Sequence, residues 1–217
     1  MKEIRELAAA LLLLVPGVSP ATVVFDTWTS NDSATGNYIV SITDVGSKFD
    51  INVTVSPWNA EVLGLFLDFG NVNVGSASAL ALTNVSPVGQ VSVYAVDTAS
   101  AGCGMGCTLN GLATPLVSPD GQWEAIFRLG AQGFDGIQTF SFTINDLGLG
   151  EDDIKLVGIR AQQLCGPGGT LSNGDTGCSG SDKAYSSEGR YVPEPGSLAL
   201  LALAMFGVAA FRRSSRT

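Results

Sequence analysis

Lys48-Phe49-Asp50-Ile51-Asn52-Val53-Thr54-Val55 alternates polar and apolar side chains along its whole length. Successive side chains of an extended chain point to opposite faces, so this stretch is predicted as a half-buried strand with Phe49, Ile51, Val53 and Val55 inward. The same period recurs in Tyr38-Val40-Ile42, Val91-Val93-Ala95, Trp123-Ala125-Phe127-Leu129 and Phe140-Phe142-Ile144. On that pattern Glu124 faces away from Trp123 and Phe127 and is expected in solvent, while Trp123 is expected in the core. Residues 23–29, 63–69 and 155–164 complete a set of about eight strands. Turn chemistry separates them: Ser30-Asn31-Asp32-Ser33 up to Gly36, Asp44-Val45-Gly46, Ser118-Pro119-Asp120-Gly121 and Asp135-Gly136. No amphipathic pattern of helical period persists between residues 22 and 192. Short strands, Gly- and Pro-rich turns and no helices predict an all-β fold, an antiparallel β-sandwich of jelly-roll-like type. The absence of an internal repeat argues against propellers and solenoids.

The two ends have a different composition. Residues 7–15 are an apolar block preceded by Lys2 and Arg5 and followed by Pro16-Gly17 and Ser19-Pro20-Ala21, the order of a secretory signal peptide with cleavage placed after Ala21. The acidic Glu3 and Glu6 depart from a basic leader. At the other end Ser197 to Phe211 carries no charge and is apolar all round, and Arg212, Arg213 and Arg216 follow it. At ~1.5 Å per residue such a helix reaches roughly 22 Å, short of the ~30 Å hydrocarbon core. The arginines would hold the C-terminus on the cytoplasmic side. Pro193 and Pro195 favour an extended lead-in that leaves Glu194 accessible to an enzyme.

Pro193-Glu194-Pro195, the short apolar helix and the Arg-rich end together resemble the PEP-CTERM sorting signal of Gram-negative envelope and biofilm-matrix proteins. The resemblance covers residues 192–217. It implies recognition by exosortase, a membrane-embedded transpeptidase-like protease, through Pro193, Glu194 and Pro195, with the helix, Arg212 and Arg213 as retention elements. The chain would then be a substrate, held at the inner membrane by its C-terminal helix until processing. Gly158-Ile159-Arg160-Ala161-Gln162 followed by Gly180-Ser181-Asp182-Lys183 also resembles a closing strand and loop of such proteins and implies no activity. The expected organisation is a signal peptide at 1–21, a β-sandwich at 22–165, a Gly- and Ser-rich loop and linker at 166–191 and the sorting signal at 192–217.

Residues 22–192 hold 17 Asp and Glu against 6 Lys and Arg, so this region is more acidic than the chain as a whole, at −9. Nucleic acid is excluded as a partner, since phosphate binding needs the opposite charge. Extracellular polysaccharide is the expected partner after export. The chain contains no histidine, which removes the usual general base and His-ligated metal sites. Carboxylate pairs remain, and Glu61, Asp68, Glu124 and Asp135 are the acids that could form one. No cofactor is expected; the acidic run Glu151-Asp152-Asp153 and the segment Asn173-Gly174-Asp175-Thr176-Gly177 are the candidates for calcium, whose ligands are oxygens.

Four cysteines in an exported chain predict disulfides. Three pairings are open, and Cys103 with Cys107 and Cys165 with Cys178 is favoured because both close short Gly-rich loops. Among the aromatics, Trp58 lies between Pro57 and Asn59 in an apparent turn and is the candidate sugar platform. The expected function is that of an exported, non-enzymatic protein, structural or adhesive in a polysaccharide or biofilm matrix. A carbohydrate-binding module is the alternative, and a carboxylate-based glycoside hydrolase is a further one.

Overall fold

Phe49, Ile51, Val53 and Val55 are all sealed from solvent in the computed structural model, which describes residues 21–31, 34–112, 120–172 and 177–192. Their strand, Lys48–Val55, lies near the middle of one of two sheets. In chain order the strands are β1 (Thr22–Phe25), β2 (Thr29–Ser30), β3 (Tyr38–Asp44), β4 (Lys48–Val55), β5 (Glu61–Asp68), β6 (Thr83–Ser86), β7 (Val91–Thr98), β8 (Trp123–Leu129), β9 (Thr139–Asn145), β10 (Leu156–Leu164), β11 (Gly180–Ser186) and β12 (Arg190–Val192). The first sheet has the order β12-β1-β3-β4-β9-β6 and the second β2-β11-β10-β5-β8-β7. Every pairing is antiparallel. The strands expected from alternation are present, but the stretch expected as one strand over 23–29 breaks into β1 and β2, which join different sheets, and twelve strands stand where about eight are expected.

The pairing of β5 to β10 is nested: β7 with β8, β6 with β9 and β5 with β10. A long hairpin has folded over itself so that successive pairs fall in alternate sheets, the winding that makes a sandwich jelly-roll-like. Inward side chains of both sheets meet in one core. Phe127 of β8 packs on Phe142 of β9 with ring centroids 4.8 Å apart, and Tyr38, Phe25, Ile42, Leu65 and Ile159 fill the space around them.

Residues 166–191 are not a linker. They return to the sandwich as β11, paired with β10 and β2, and β12, paired with β1, and Thr22–Val192 is one compact unit. The strand was illegible because the buried positions of β11 carry Asp182, Ala184 and Ser186. None of these is a large apolar side chain, so no hydrophobic alternation marks the segment. Residues 1–20 and 193–217, which carry the predicted signal peptide and sorting signal, lie outside the described residues, as do 173–176 of the second calcium candidate.

The central strands of the second sheet are buried on both faces. Every residue of β5 is buried, and β8 is nearly so. A separate cluster of Leu63, Phe66, Cys103, Cys107, Leu109, Trp123, Ile126 and Leu156 covers their outer side. The Cys103–Cys107 disulfide holds the covering loop. It lies so close that a Cβ on Gly64 of β5 would come within 2.5 Å of Cys103 Sγ. At Gly158 of β10 a Cβ would come within 2.6 Å of Leu109. Glycine is required at both positions because backbone and cover touch directly.

Candidate functional site

The structure brings the four named acids together in two pairs at opposite ends of β5, Glu61 with Asp135 and Asp68 with Glu124. Glu61 Oε1 accepts the backbone N–H groups of Asp135 at 3.0 Å and Gly136 at 2.8 Å. Burial pushes its carboxyl up to about 7, opposed by the Gly136 N–H and assisted by the neighbouring Asp135 charge. Asp135 in turn accepts N–H groups from Ala131 and Ile137, at 2.9 and 3.0 Å. The pair closes the loop between β8 and β9.

Glu124 is fully buried, not solvated as strand alternation predicts. The alternation misleads because it assumes one wet face, and β8, an interior strand of the second sheet, has none. Glu124 Oε2 accepts the Phe69 N–H at 2.6 Å, while Oε1 has no hydrogen-bond partner. Burial pushes this carboxyl up to about 8; the Phe69 N–H opposes the rise and the Asp68 charge adds to it. A protonated Glu124 removes the cost of an unpaired buried charge. Asp68 and Glu61 are as deeply enclosed. Each of the four acids accepts at least one backbone N–H.

Sequence reasoning missed another buried acid, Asp182 of β11. Its Oδ2 accepts hydrogen bonds from Thr35 Oγ1 at 2.9 Å, the Gly36 N–H at 3.1 Å and Tyr38 Oη at 2.9 Å, and its Oδ1 accepts one from Ser30. Tyr38 titrates well above its ordinary value because it is buried and faces this carboxyl. Asp182 therefore ties β11 to the β2–β3 connection. The signal was present in Asp182-Lys183-Ala184-Tyr185, but polar residues in a Gly-rich context read as a loop.

Trp58 is not a platform. It is 9 % exposed and stacks on Phe134, with centroids 5.9 Å apart and planes at 22°. The loop closed by the Cys165–Cys178 disulfide covers the turn, with Leu171 N–H donating to Trp58 O at 2.6 Å. Local sequence showed a turn but not the distant loop that packs over it. Trp123 is buried as expected, edge-on to Phe66, but in the outer cluster instead of the sandwich interior. Both favoured cysteine pairs are disulfides.

Glu151, Asp152 and Asp153 form a short 3₁₀ turn. Asp153 accepts the Gly150 N–H at 3.0 Å. Asp152 accepts the Tyr191 hydroxyl, which pushes that phenol up to about 12. Among the described residues no group of three or more His, Cys, Asp and Glu is arranged to hold a metal ion. Among the same residues no helix is long and apolar enough to cross a membrane.

The remaining site begins where the sandwich ends. β12 is the edge strand of the first sheet, paired on one side with β1, and all three of its residues are exposed. The Arg190–Asp26 ion pair, 2.7 Å long and solvent-exposed, adds little to its hold. Val192 is the last residue of β12 and Pro193 follows it with no intervening spacer. Residues 192–214 match the model of the PEP-CTERM protein-sorting motif. The chain is thus a bearer of that sorting signal, exported, targeted to the cell envelope and directed to exosortase. No curated protein and no solved structure matches it. The matched segment contains Pro193, Glu194, Pro195, Arg212 and Arg213, all outside the described residues.

Proposed function

We propose that this chain is a non-catalytic component of the outer surface or extracellular polysaccharide matrix of a Gram-negative-type bacterium. It crosses the inner membrane with its tail as a transient anchor, exosortase removes the tail at or near Pro193-Glu194-Pro195, and the sandwich is left as a structural or adhesive part. The observation that carries the reading is the sorting motif that starts on the last residue of the folded unit. Several features support a part without chemistry or cofactor. The chain lacks histidine, and Glu61, Asp68 and Glu124 are enclosed, each with one carboxylate oxygen on a backbone donor. A glycoside hydrolase needs two carboxyls facing a substrate cleft.

The test is expression of the full chain in a host with and without its exosortase. The processed form is expected in the envelope or matrix fraction only when the enzyme is present, and Glu194→Ala with Pro195→Ala is expected to leave the tail attached. Retention of wild type in the cytoplasm, or identical processing without exosortase, overturns the proposal. Binding of carbohydrate is a second reading, now detached from Trp58 and favoured by the polar outer face of the first sheet.

A further inference from the structure

The outer face of the first sheet carries two rows of short polar side chains in register. One row crosses Thr43 of β3, Asp50 of β4, Thr143 of β9 and Thr83 of β6; the other crosses Ser41, Asn52, Ser141 and Ser86 of the same strands. Strands ~4.8 Å apart repeat these groups at even spacing across the sheet. β6 is the edge strand beside β9, and its Asn84 lines the space over the sheet. A register shift between Thr83 and Ser86 and a left-handed Asn84, with φ of 51°, accompany the bend that puts Asn84 over the sheet. Asn84 Nδ2 donates to Thr143 Oγ1 at 3.1 Å, and Thr143 Oγ1 donates to Asp50 Oδ1 at 2.6 Å. The result is a groove of about 330 Å³, within the range of ligand sites.

The groove holds hydrogen-bonding capacity that the fold does not use. Among the described residues the side chains of Ser41, Asn52 and Ser141 and the Oδ2 of Asp50 make no hydrogen bond, although Ser41, Asn52 and Ser141 are half-buried. Hydroxyl and amide groups both donate and accept, so they match a ligand whose own groups do both. The lining contains no Lys or Arg, and its one aromatic, Phe142, is buried. Lys48 shares the outer face of β4 but lies outside the lining. A single carboxylate without a cation repels an anionic polymer and is too little charge to select a cationic one. From this chemistry we infer that the groove binds a segment of a neutral polysaccharide, reading its hydroxyls through Asp50, Asn52, Ser41 and Ser141 instead of stacking its rings. The inference deepens the matrix reading and takes its setting from it.

The experiment is affinity electrophoresis of the detergent-purified full chain in gels containing dextran, xyloglucan, galactomannan or alginate. Retardation by at least one neutral polymer and none by anionic alginate is expected. Asn52→Ala with Ser141→Ala should weaken that retardation by about tenfold, whereas Tyr94→Ala, an exposed residue of the other sheet, should not change it. Thermal melting of each variant establishes that it is folded. No retardation by any neutral polymer, retardation by alginate alone, retardation that survives in the folded groove variant, or a mobility set by protein concentration overturns the inference. Matrix fractionation separates the two readings. Wild type in the matrix with no groove dependence leaves the matrix role standing and the groove refuted; gel binding without matrix localisation does the reverse.

Discussion

The outer faces of the two sheets began from the same architecture and ended in opposite environments. On the first sheet, β4 keeps its polar residues in solvent and its apolar residues in the core, as a half-buried strand should. On the second, β5 and β8 are enclosed from both sides by the sandwich interior and by the disulfide-held loop that carries Leu109. One face is free to meet a ligand and the other has become a second core. On the outer faces, packing falls to the second sheet and the proposed binding to the first.

If that division is right, substitutions on the covered face should be costly and those on the open face nearly silent. Trp123→Ala, which empties the outer cluster, should have the largest effect, about 3–5 kcal/mol, read from urea denaturation. Gly158→Val should follow, at about 1–3 kcal/mol, because its side chain has to displace Leu109 and Trp123. Replacing both Cys103 and Cys107 by alanine should cost about 2 kcal/mol on the loop-closure estimate; a smaller loss would mean that packing alone holds the cover. Asn52→Val on the open face should change stability by no more than about 0.5 kcal/mol. A loss there comparable to that of Trp123→Ala would erase the distinction.

Acidity offers another way to sharpen the contrast. Glu61 and Glu124 hold their protons up to about pH 7 and 8 in the folded chain, against an ordinary value of 4.5. Between those values the folded state binds more protons than the unfolded one, so stability should fall as pH rises from about 4.5 to 8. Thermal melting at pH 5 and pH 8 should show the decline. Glu124→Gln should reduce the slope and raise the melting temperature at pH 8, since a neutral amide replaces a buried carboxylate. A flat pH profile would mean that Glu124 is ionised in the fold.

Most of the first sheet was legible because one wet face and one dry face write a period of two into β3, β4 and β9. Ala125, Phe127 and Leu129 of β8 were legible for the same reason, whereas Trp123 belongs to the outer cluster, where a distant loop had replaced water. β11 escaped notice because its buried positions hold Asp182, Ala184 and Ser186. Glu61, Asp68, Glu124 and Asp135 could be named as the acids of interest, but their pairing depends on β5 lying beside β8, which residue types do not announce. Trp58 failed as a platform on the same ground: its cover comes from Phe134 and from the loop around Leu171, both far along the chain.

Local order along the chain was enough to read the sorting signal and the all-β class and to favour the cysteine pairs that form. Each of these rests on neighbours in sequence: a charge pattern, an apolar run, a period of two, a short loop. Which acids are buried, which face is covered, where the domain stops and where the polar groove lies depended on contacts between residues far apart. Burial and register are properties of what folds against a segment, and a segment's own composition carries only half of that pair.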